Sequence, residues 1–431
     1  MRRIVTMEPR EASGVRPANG EGSGRPVLMA AVAAAAAIGL ALLVALDGSP
    51  GWRVGRVVAA GAIGGVAVLA QLRPDDRARG RAAVALGLPV LAVGIGFLPF
   101  AVKGGAPLAA IAGPFSLVAG LVLTVGGTVV ATRGRKVGRR LAAGGCAVVA
   151  TVLVAYVVGP AVAATNVPRP ELGASPESVG LPYASVTLRT ADGVDLAGWY
   201  VPSTNRAAVV LLHGAGATRS DVLDQAAVLG RHGFGVLLVD ARGHGESGGR
   251  AMDFGWHGDA DVAAATAWLA HRPDVDERRI GAVGMSMGGE EAIGATATDE
   301  RIRAVVAEGA TARSAADEAW LSDEFGVRGL VQEQIEALQD RVTDVLTSAT
   351  VPISARAAVE ASDARYLLVA AGEVADEGHA AAYVRAGAPH RVATWTVPGA
   401  AHTDGLATDP AEWEARVVGF LNDALLLSPG D

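Results

Sequence analysis

The sequence is poor in the residues that cross-link chains or bind polyanions. It has one cysteine among 431 residues, Cys146, which excludes a disulfide within the chain and a cysteine-rich metal site. Charged residues make up only 19% of the chain, whereas soluble domains average about 25%. This shortage argues against intrinsic disorder and against nucleic-acid binding as a main role, because both depend on a high density of charge.

The charges that are present divide the chain into two halves of opposite sign. Residues 1–165 contain 17 basic and 6 acidic residues, whereas residues 166–431 contain 20 basic and 38 acidic residues. All eight histidines lie in the second half, which has no cysteine. The lack of thiols is compatible with an oxidising compartment outside the cytoplasm. We therefore expect an apolar region with basic loops, followed by an acidic globular domain.

Long apolar runs occupy the first half of the chain. A transmembrane helix needs about 20 mainly apolar residues, and interior glycine and proline are common in such helices. Five runs qualify: Val27–Leu46, Val57–Leu72, Ala82–Val102, Leu108–Ala131 and Leu141–Val162. They predict a membrane region of five helices over residues 27–162, after a basic tail over residues 1–26. No ionisable residue lies in the middle of a run, so we interpret the region as an anchor in the lipid bilayer. Gly61 and Gly65 form a GxxxG pattern that can bring helices close.

Basic residues in the loops predict how the chain is oriented. The tail and the four loops between the runs contain 5, 2, 4, 1 and 5 Lys or Arg residues in order. Loops rich in basic residues remain cytoplasmic. The alternation therefore predicts a multi-pass protein of the cell membrane with a cytoplasmic N-terminus. Everything after the fifth run is then expected to lie outside the cytoplasm.

The second half begins with a linker and continues with alternating strands and helices. Residues 163–182 are rich in proline and predict a stiff tether. The domain that follows, residues 183–431, opens with a hairpin around Asp192-Gly193. Six further apolar strands are predicted: Ala207–Leu212, Gly235–Val239, Ile280–Val283, Ile302–Ala307, Tyr366–Ala370 and Arg391–Val397. Helical patterns lie between most of them, which predicts a mostly parallel sheet covered on both faces.

Two glycine-rich turns follow predicted strands and suggest nucleophilic catalysis. Gly284-Met285-Ser286-Met287-Gly288 lies between a strand and a helix, the context in which GxSxG forms a nucleophile elbow. His213-Gly214-Ala215-Gly216 follows an earlier strand. Backbone N–H groups of Ala215 and Met287 are therefore predicted to form an oxyanion hole.

These motifs, together with Asp240-Ala241-Arg242-Gly243-His244-Gly245-Glu246-Ser247, occur in an order that resembles the α/β-hydrolase superfamily. The resemblance extends over Leu181–Leu427 and is of the serine hydrolase or esterase type. It implies a structural role for Asp240, Arg242 and His244, and a triad in the order serine, acid, histidine. His402 follows the last strand and is the expected base. No cofactor and no metal ion are implied.

The acid of the triad is expected after the strand Tyr366–Ala370. We predict Asp376, with Glu373 and Glu377 as competitors, because this turn has one residue more than the usual family pattern. Glu308 after the preceding strand is a further alternative. Either carboxylate type could hold the imidazole tautomer and stabilise the imidazolium.

Residues 310–361 occupy the position of the family's lid. Helical spacing of apolar residues over Val327–Leu346 predicts a helix whose apolar stripe packs over the site. The stripe comprises Leu330, Val331, Ile335, Leu338, Val342 and Val345. The overall prediction is a membrane-anchored hydrolase of a small acyl ester or thioester that acts through an acyl-enzyme. A serine peptidase and an inactive membrane scaffold or binding protein are the alternatives.

Overall fold

The computed structural model describes residues 30–39, 50–98, 107–166 and 169–426. Within these ranges a bundle of apolar helices comes first and an α/β domain follows. The bundle contains helices α1 Ala30–Gly39, α2 Pro50–Gln71, α3 Asp76–Gly96, α4 Pro107–Ala131 and α5 Val137–Ala164. Helix α5 is continuous but contains a π turn at Val154–Val158.

Four of these helices, α2 to α5, are long and apolar enough to cross a membrane. They correspond to the second to fifth predicted runs, with boundaries that differ by several residues. Half of the first predicted run, Val27–Leu46, lies outside the described residues. Its described part is α1, an apolar helix of ten residues.

Small residues bring α3 and α4 together. Gly80, Gly87 and Gly94 recur every seven residues on α3, and a Cβ atom at any of them would overlap α4. Backbones that approach this closely gain van der Waals contact in a setting where lipid removes the hydrophobic driving force. At Gly61 and Gly65, the glycines of the GxxxG pattern, no atom of the described residues lies within 4 Å of a Cβ.

The α/β domain is built on one sheet of eight strands. The strands are β1 Ala184–Arg189, β2 Asp195–Val201, β3 Ala208–Leu212, β4 Gly235–Val239, β5 Ile280–Met285, β6 Ile302–Glu308, β7 Arg365–Ala371 and β8 Val392–Val397. Their order is β1-β2-β4-β3-β5-β6-β7-β8. Strand β2 pairs antiparallel with β1 and β4, and the remaining pairs are parallel. The prediction of a hairpin followed by a mostly parallel sheet is confirmed.

Helices cover both faces of this sheet, and the central strands are buried along their whole length. The main helices are α6 Leu223–Arg231, α7 Gly258–Ala270, α8 Met287–Ala295, α9 Leu321–Phe325, α10 Val327–Leu346, α11 Ala355–Ala361, α12 Ala375–Gly387, α13 Gly405–Thr408 and α14 Pro410–Leu425. One apolar cluster fills each side of the sheet. Because the parallel strands end at one edge, the loops after β3, β5, β7 and β8 meet there.

The predicted tether is in contact with the α/β domain where it is described. The Arg169 guanidinium donates to the carbonyl oxygens of Gly245 and Gly249, at 3.1 and 2.9 Å. Leu172 and Leu181 pack against the apolar core on one side of the sheet. The segment therefore lies along the surface of the domain, because its apolar residues pack against the apolar core there.

The lid helix α10 has the predicted boundaries, but its apolar stripe does not face the site. Leu330, Val331, Leu338 and Val345 are all exposed. The side of α10 that faces the site instead carries Glu336, Gln339 and Asp340. The predicted orientation was wrong because periodicity identifies a helix face without identifying what that face contacts.

Candidate active site

The tight turn between β5 and α8 holds Ser286 in a strained conformation. Its φ and ψ are 52° and −122°, a region that residues with a Cβ rarely adopt. A Cβ at Gly284 would overlap the Gly288 carbonyl, and one at Gly288 would lie 2.6 Å from the His213 carbonyl oxygen. Both glycines are thus required by close approach of the backbone. The turn presents the serine at the carboxyl edge of the sheet, as predicted.

His402 meets Ser286 from the loop after β8. Its Nε2 lies 2.9 Å from Ser286 Oγ. Its Nδ1 lies 2.6 Å from Glu377 Oε1. The hydrogen bond to Glu377 raises the pKa of His402 above its ordinary value, and partial burial opposes that shift. A histidine that bridges a serine and a carboxylate is the arrangement that activates a hydroxyl for nucleophilic attack.

The carboxylate on His402 belongs to Glu377, which corrects the prediction of Asp376. Glu377 is 1% exposed and its second oxygen accepts from the Ala371 amide at 2.7 Å. Asp376 is exposed. Both residues lie in the first turn of α12, where one residue corresponds to a rotation of about 100°. Only the second of them turns its side chain toward the edge of the sheet, and the longer glutamate spans the gap.

The other two candidate acids have different environments. Glu308 accepts hydrogen bonds from the Gly405 amide at 2.7 Å and from Trp413 Nε1 at 2.8 Å. These bonds hold in place the part of the chain that directly follows His402. Burial raises the pKa of Glu308. Glu373 is exposed, and its backbone amide donates to the Ala400 carbonyl at 3.0 Å. Glu308 is therefore placed to position the histidine loop, a role that the sequence analysis did not anticipate.

The two residues predicted to supply oxyanion-hole N–H groups, Ala215 and Met287, line the same cavity as Ser286. The loop that carries Ala215 passes close to the serine, because a Cβ at Gly214 would lie 3.3 Å from Ser286 Cβ. Met287 is the first residue of α8, where backbone N–H groups lack intrahelical partners. Their role in binding an oxyanion stays a prediction.

Two buried histidines hold this loop in place. His213 Nε2 accepts from the Ala241 amide at 3.0 Å, and His244 Nε2 accepts from the Gly216 amide at 3.1 Å. Burial lowers the pKa of both, that of His244 to about 4. In each ring Nε2 accepts from a backbone N–H group and Nδ1 lies against a carbonyl oxygen, which is the hydrogen bonding of a neutral imidazole. This confirms a structural role for His244.

Charged residues of the same segment join neighbouring loops. Asp240 pairs with the buried Arg219 at 2.6 Å and also accepts from its backbone amide at 2.8 Å. Arg242 bridges Asp192 and Asp261. Both residues thus have the structural role that the resemblance implied.

The cavity beside Ser286 has a volume of about 190 Å³ and an acidic lining. Its lining includes Glu290, Glu318, Glu336 and Asp340, with Arg313 as the basic member. Burial, together with the charges of neighbouring carboxylates, raises the pKa of Glu318 to about 7. Glu336 and Asp340 lie four residues apart on α10, a spacing visible in the sequence. The small volume suits a short or slender group, and the acidic wall disfavours an anionic one.

Among the described residues, no three His, Cys, Asp or Glu side chains are grouped so that they could hold a metal ion. His257 directly precedes α7, at its N-cap.

The strand order, the strained serine turn and the histidine bridge give the second half of the chain the α/β-hydrolase fold, which follows four candidate membrane helices. Residues 203–357 match the model of the family described as "Serine aminopeptidase, S33". That match includes Ser286 and the lid helix, and it ends before the acid and the histidine.

Related proteins match part of the domain. An uncharacterised protein of Mycobacterium tuberculosis (strain ATCC 25618 / H37Rv) is 39% identical over 112 residues, which is 25% of this chain and 39% of that protein. The thiohydrolase aneE of Aspergillus aculeatus is 36% identical over 128 residues, 29% of this chain and 40% of that protein. The chain thus spans about two fifths of these relatives' length.

Among solved structures, an esterase of Pyrococcus furiosus aligns with a TM-score of 0.48 at 24% identity, covering 60% of this chain and 98% of that one.

Proposed function

We propose that the protein is a membrane-anchored serine hydrolase that cleaves a small acyl ester or thioester. The observation that carries the proposal is the continuous contact from Glu377 through His402 to Ser286, at 2.6 and 2.9 Å. The thiohydrolase among the partial relatives supports the choice of a thioester as one substrate class.

In the proposed mechanism His402 Nε2 takes the Ser286 proton as the serine oxygen attacks the acyl carbonyl. The N–H groups of Ala215 and Met287 stabilise the tetrahedral oxyanion. The leaving alcohol or thiol departs with the proton from His402, and an acyl-enzyme remains. Water then attacks the acyl group while His402 takes its proton, and His402 donates that proton to Ser286 Oγ as the bond to the acyl group breaks and the free acid leaves. Glu377 keeps the Nδ1–H tautomer in place throughout.

A serine peptidase is the second candidate. It is favoured by the description of the matching family and by the acidic cavity, where Glu318 and Glu336 could pair with the amino terminus of a peptide. The alternative of an inactive scaffold has less support, since serine, histidine and acid positions are all filled.

A fluorophosphonate probe tests the proposal on the full-length protein in detergent, because only an activated serine reacts with it. We expect labelling of the wild type and none of Ser286→Ala, whose fold should survive the loss of one hydroxyl. A panel of matched short acyl esters, thioesters and aminoacyl amides then assigns the bond. Absence of labelling in a folded wild type would favour the scaffold, and preferential cleavage of aminoacyl amides would favour the peptidase.

We also propose that the hydrolase domain lies outside the cytoplasm. The support is the alternation between loops with many and loops with few basic residues, because loops rich in basic residues remain cytoplasmic.

A further inference from the structure

On its outer side the lid helix α10 exposes four aliphatic side chains, here called the stripe, with the exposed Gln334 among them. Val327, Val331, Leu338 and Val345 are 78, 53, 44 and 45% exposed. At about 100° per residue these four side chains fall within an arc of about 40°. The helix is therefore amphipathic, but its orientation is the reverse of the expected one. Its acidic residues face the cavity and its aliphatic residues face outward.

The end of α10 is fastened to the membrane helices. Leu346 packs against the apolar cluster that the bundle buries, and its carbonyl oxygen accepts from Arg56 Nη1 at 3.0 Å. The helix also contacts the last part of α5, both at Val154–Val158 and at Gly159–Ala164. The end of α10 therefore lies against the bundle, whose outer surface also exposes aliphatic side chains such as Val152 and Leu153.

The length of α5 indicates the depth at which this contact occurs. Its 28 residues extend for about 42 Å, whereas the hydrocarbon core is about 30 Å thick. The basic residues Arg139 and Arg140 near its start favour a position of that end at the cytoplasmic surface. Counted from Arg140, about 30 Å of helix ends near residue 160, so the contact of α10 with Gly159–Ala164 lies at the level of the headgroups and its contact with Val154–Val158 lies within about 9 Å of that level.

We propose that the stripe of α10 docks onto the outer surface of the same bilayer that holds the spans. Aliphatic side chains on one face, with Arg328 and Arg341 exposed on either side of it, match an interfacial helix. The opposite face of α10 lines the catalytic cavity, so this cavity lies about one helix diameter, roughly 10 Å, from the lipid surface. The docking depends on the membrane location of the bundle and not on the proposed chemistry.

Spin labels can measure this contact in the full-length protein. In a Cys146→Ala background, Val331→Cys and Leu338→Cys each place one nitroxide on the stripe. Ala415→Cys is the matched control, because it is exposed on α14, which packs against the sheet. The proteins are reconstituted into vesicles of phosphatidylcholine and phosphatidylglycerol. Collision rates with oxygen and with a water-soluble nickel chelate are then compared.

At both stripe positions we expect the nitroxide to collide more often with oxygen than with the nickel chelate. At the control position we expect more frequent collisions with the nickel chelate. When an amphipathic polymer replaces the vesicles around the membrane helices, the difference between the two collision rates at the stripe positions should become smaller. Two labelled sites guard against the loss of fold in one variant. Nickel accessibility at Val331 and Leu338 equal to that at Ala415 would overturn the proposal, as would protection of the stripe from both reagents, which indicates a protein partner.

Discussion

Replacement of Glu377 by glutamine is the sharpest test of the acid assignment. Both oxygens of the carboxylate accept from donors, one from His402 Nδ1–H and one from the Ala371 amide. Glutamine has one oxygen and one NH₂ group, so one of these donors must face another donor. If the NH₂ group of the glutamine faces His402 Nδ1, that nitrogen must be the acceptor. The ring then adopts the Nε2–H tautomer, which is unable to accept the serine proton.

The expected loss is large. In serine proteases the equivalent change from carboxylate to amide lowers kcat by about 10⁴-fold with little change of geometry. We expect a loss of about 10³- to 10⁴-fold in kcat for Glu377→Gln on a short acyl ester. Asp376→Asn is the matched control on the adjacent, exposed residue and should remain within about two-fold of wild type, as surface substitutions usually do.

The pH profile separates an electrostatic role from a merely structural one. His402 must be neutral to act as a base, so activity falls as the pH drops through its pKa. The hydrogen bond to Glu377 is the first cause of the raised pKa. Its loss should therefore move the acid limb of kcat/KM to lower pH. Normal activity of Glu377→Gln together with collapse of Asp376→Asn would refute the assignment and restore the sequence-based one.

Three further predictions concern topology, stability and charge preference. A reporter active only outside the cytoplasm, fused after Asp431, should be active, and activity of a cytoplasm-only reporter instead would reverse the orientation. Glu308→Gln should lower the free energy of unfolding by about 1–3 kcal/mol in a denaturant titration, because Gly405 N–H and Trp413 Nε1 both need an acceptor. An unchanged midpoint would contradict the positioning role. Glu318→Gln should raise kcat/KM for a carboxylate-tagged ester over a neutral ester of equal length by about two- to five-fold, up to about 1 kcal/mol of like-charge repulsion. The gain should be clear at pH 8 and small at pH 6, since the pKa of Glu318 is about 7; an equal gain at both values would argue against the charge.

Local signals were sufficient to predict that Ser286 and His402 lie at the same edge of the sheet. Ser286 lies between glycines that a tight turn after a strand requires, and His402 follows the last strand of a sheet whose order is implied by the alternation of elements. In a parallel sheet the carboxyl ends of strands meet at one edge, so sequence position along β5 and β8 already places the two residues near each other. The long apolar runs likewise predicted α2 to α5 by length and hydropathy alone.

The acid and the lid depended on information that only the tertiary structure contains. Asp376 and Glu377 are neighbours in sequence, and the rotation of α12 about its axis decides which of them meets His402. The aliphatic positions of α10 are periodic in any packing arrangement, and only the structure shows that they face away from the cavity. Both outcomes follow from the relative placement of whole elements, which is set by contacts between residues far apart in the chain, such as Arg56 with Leu346.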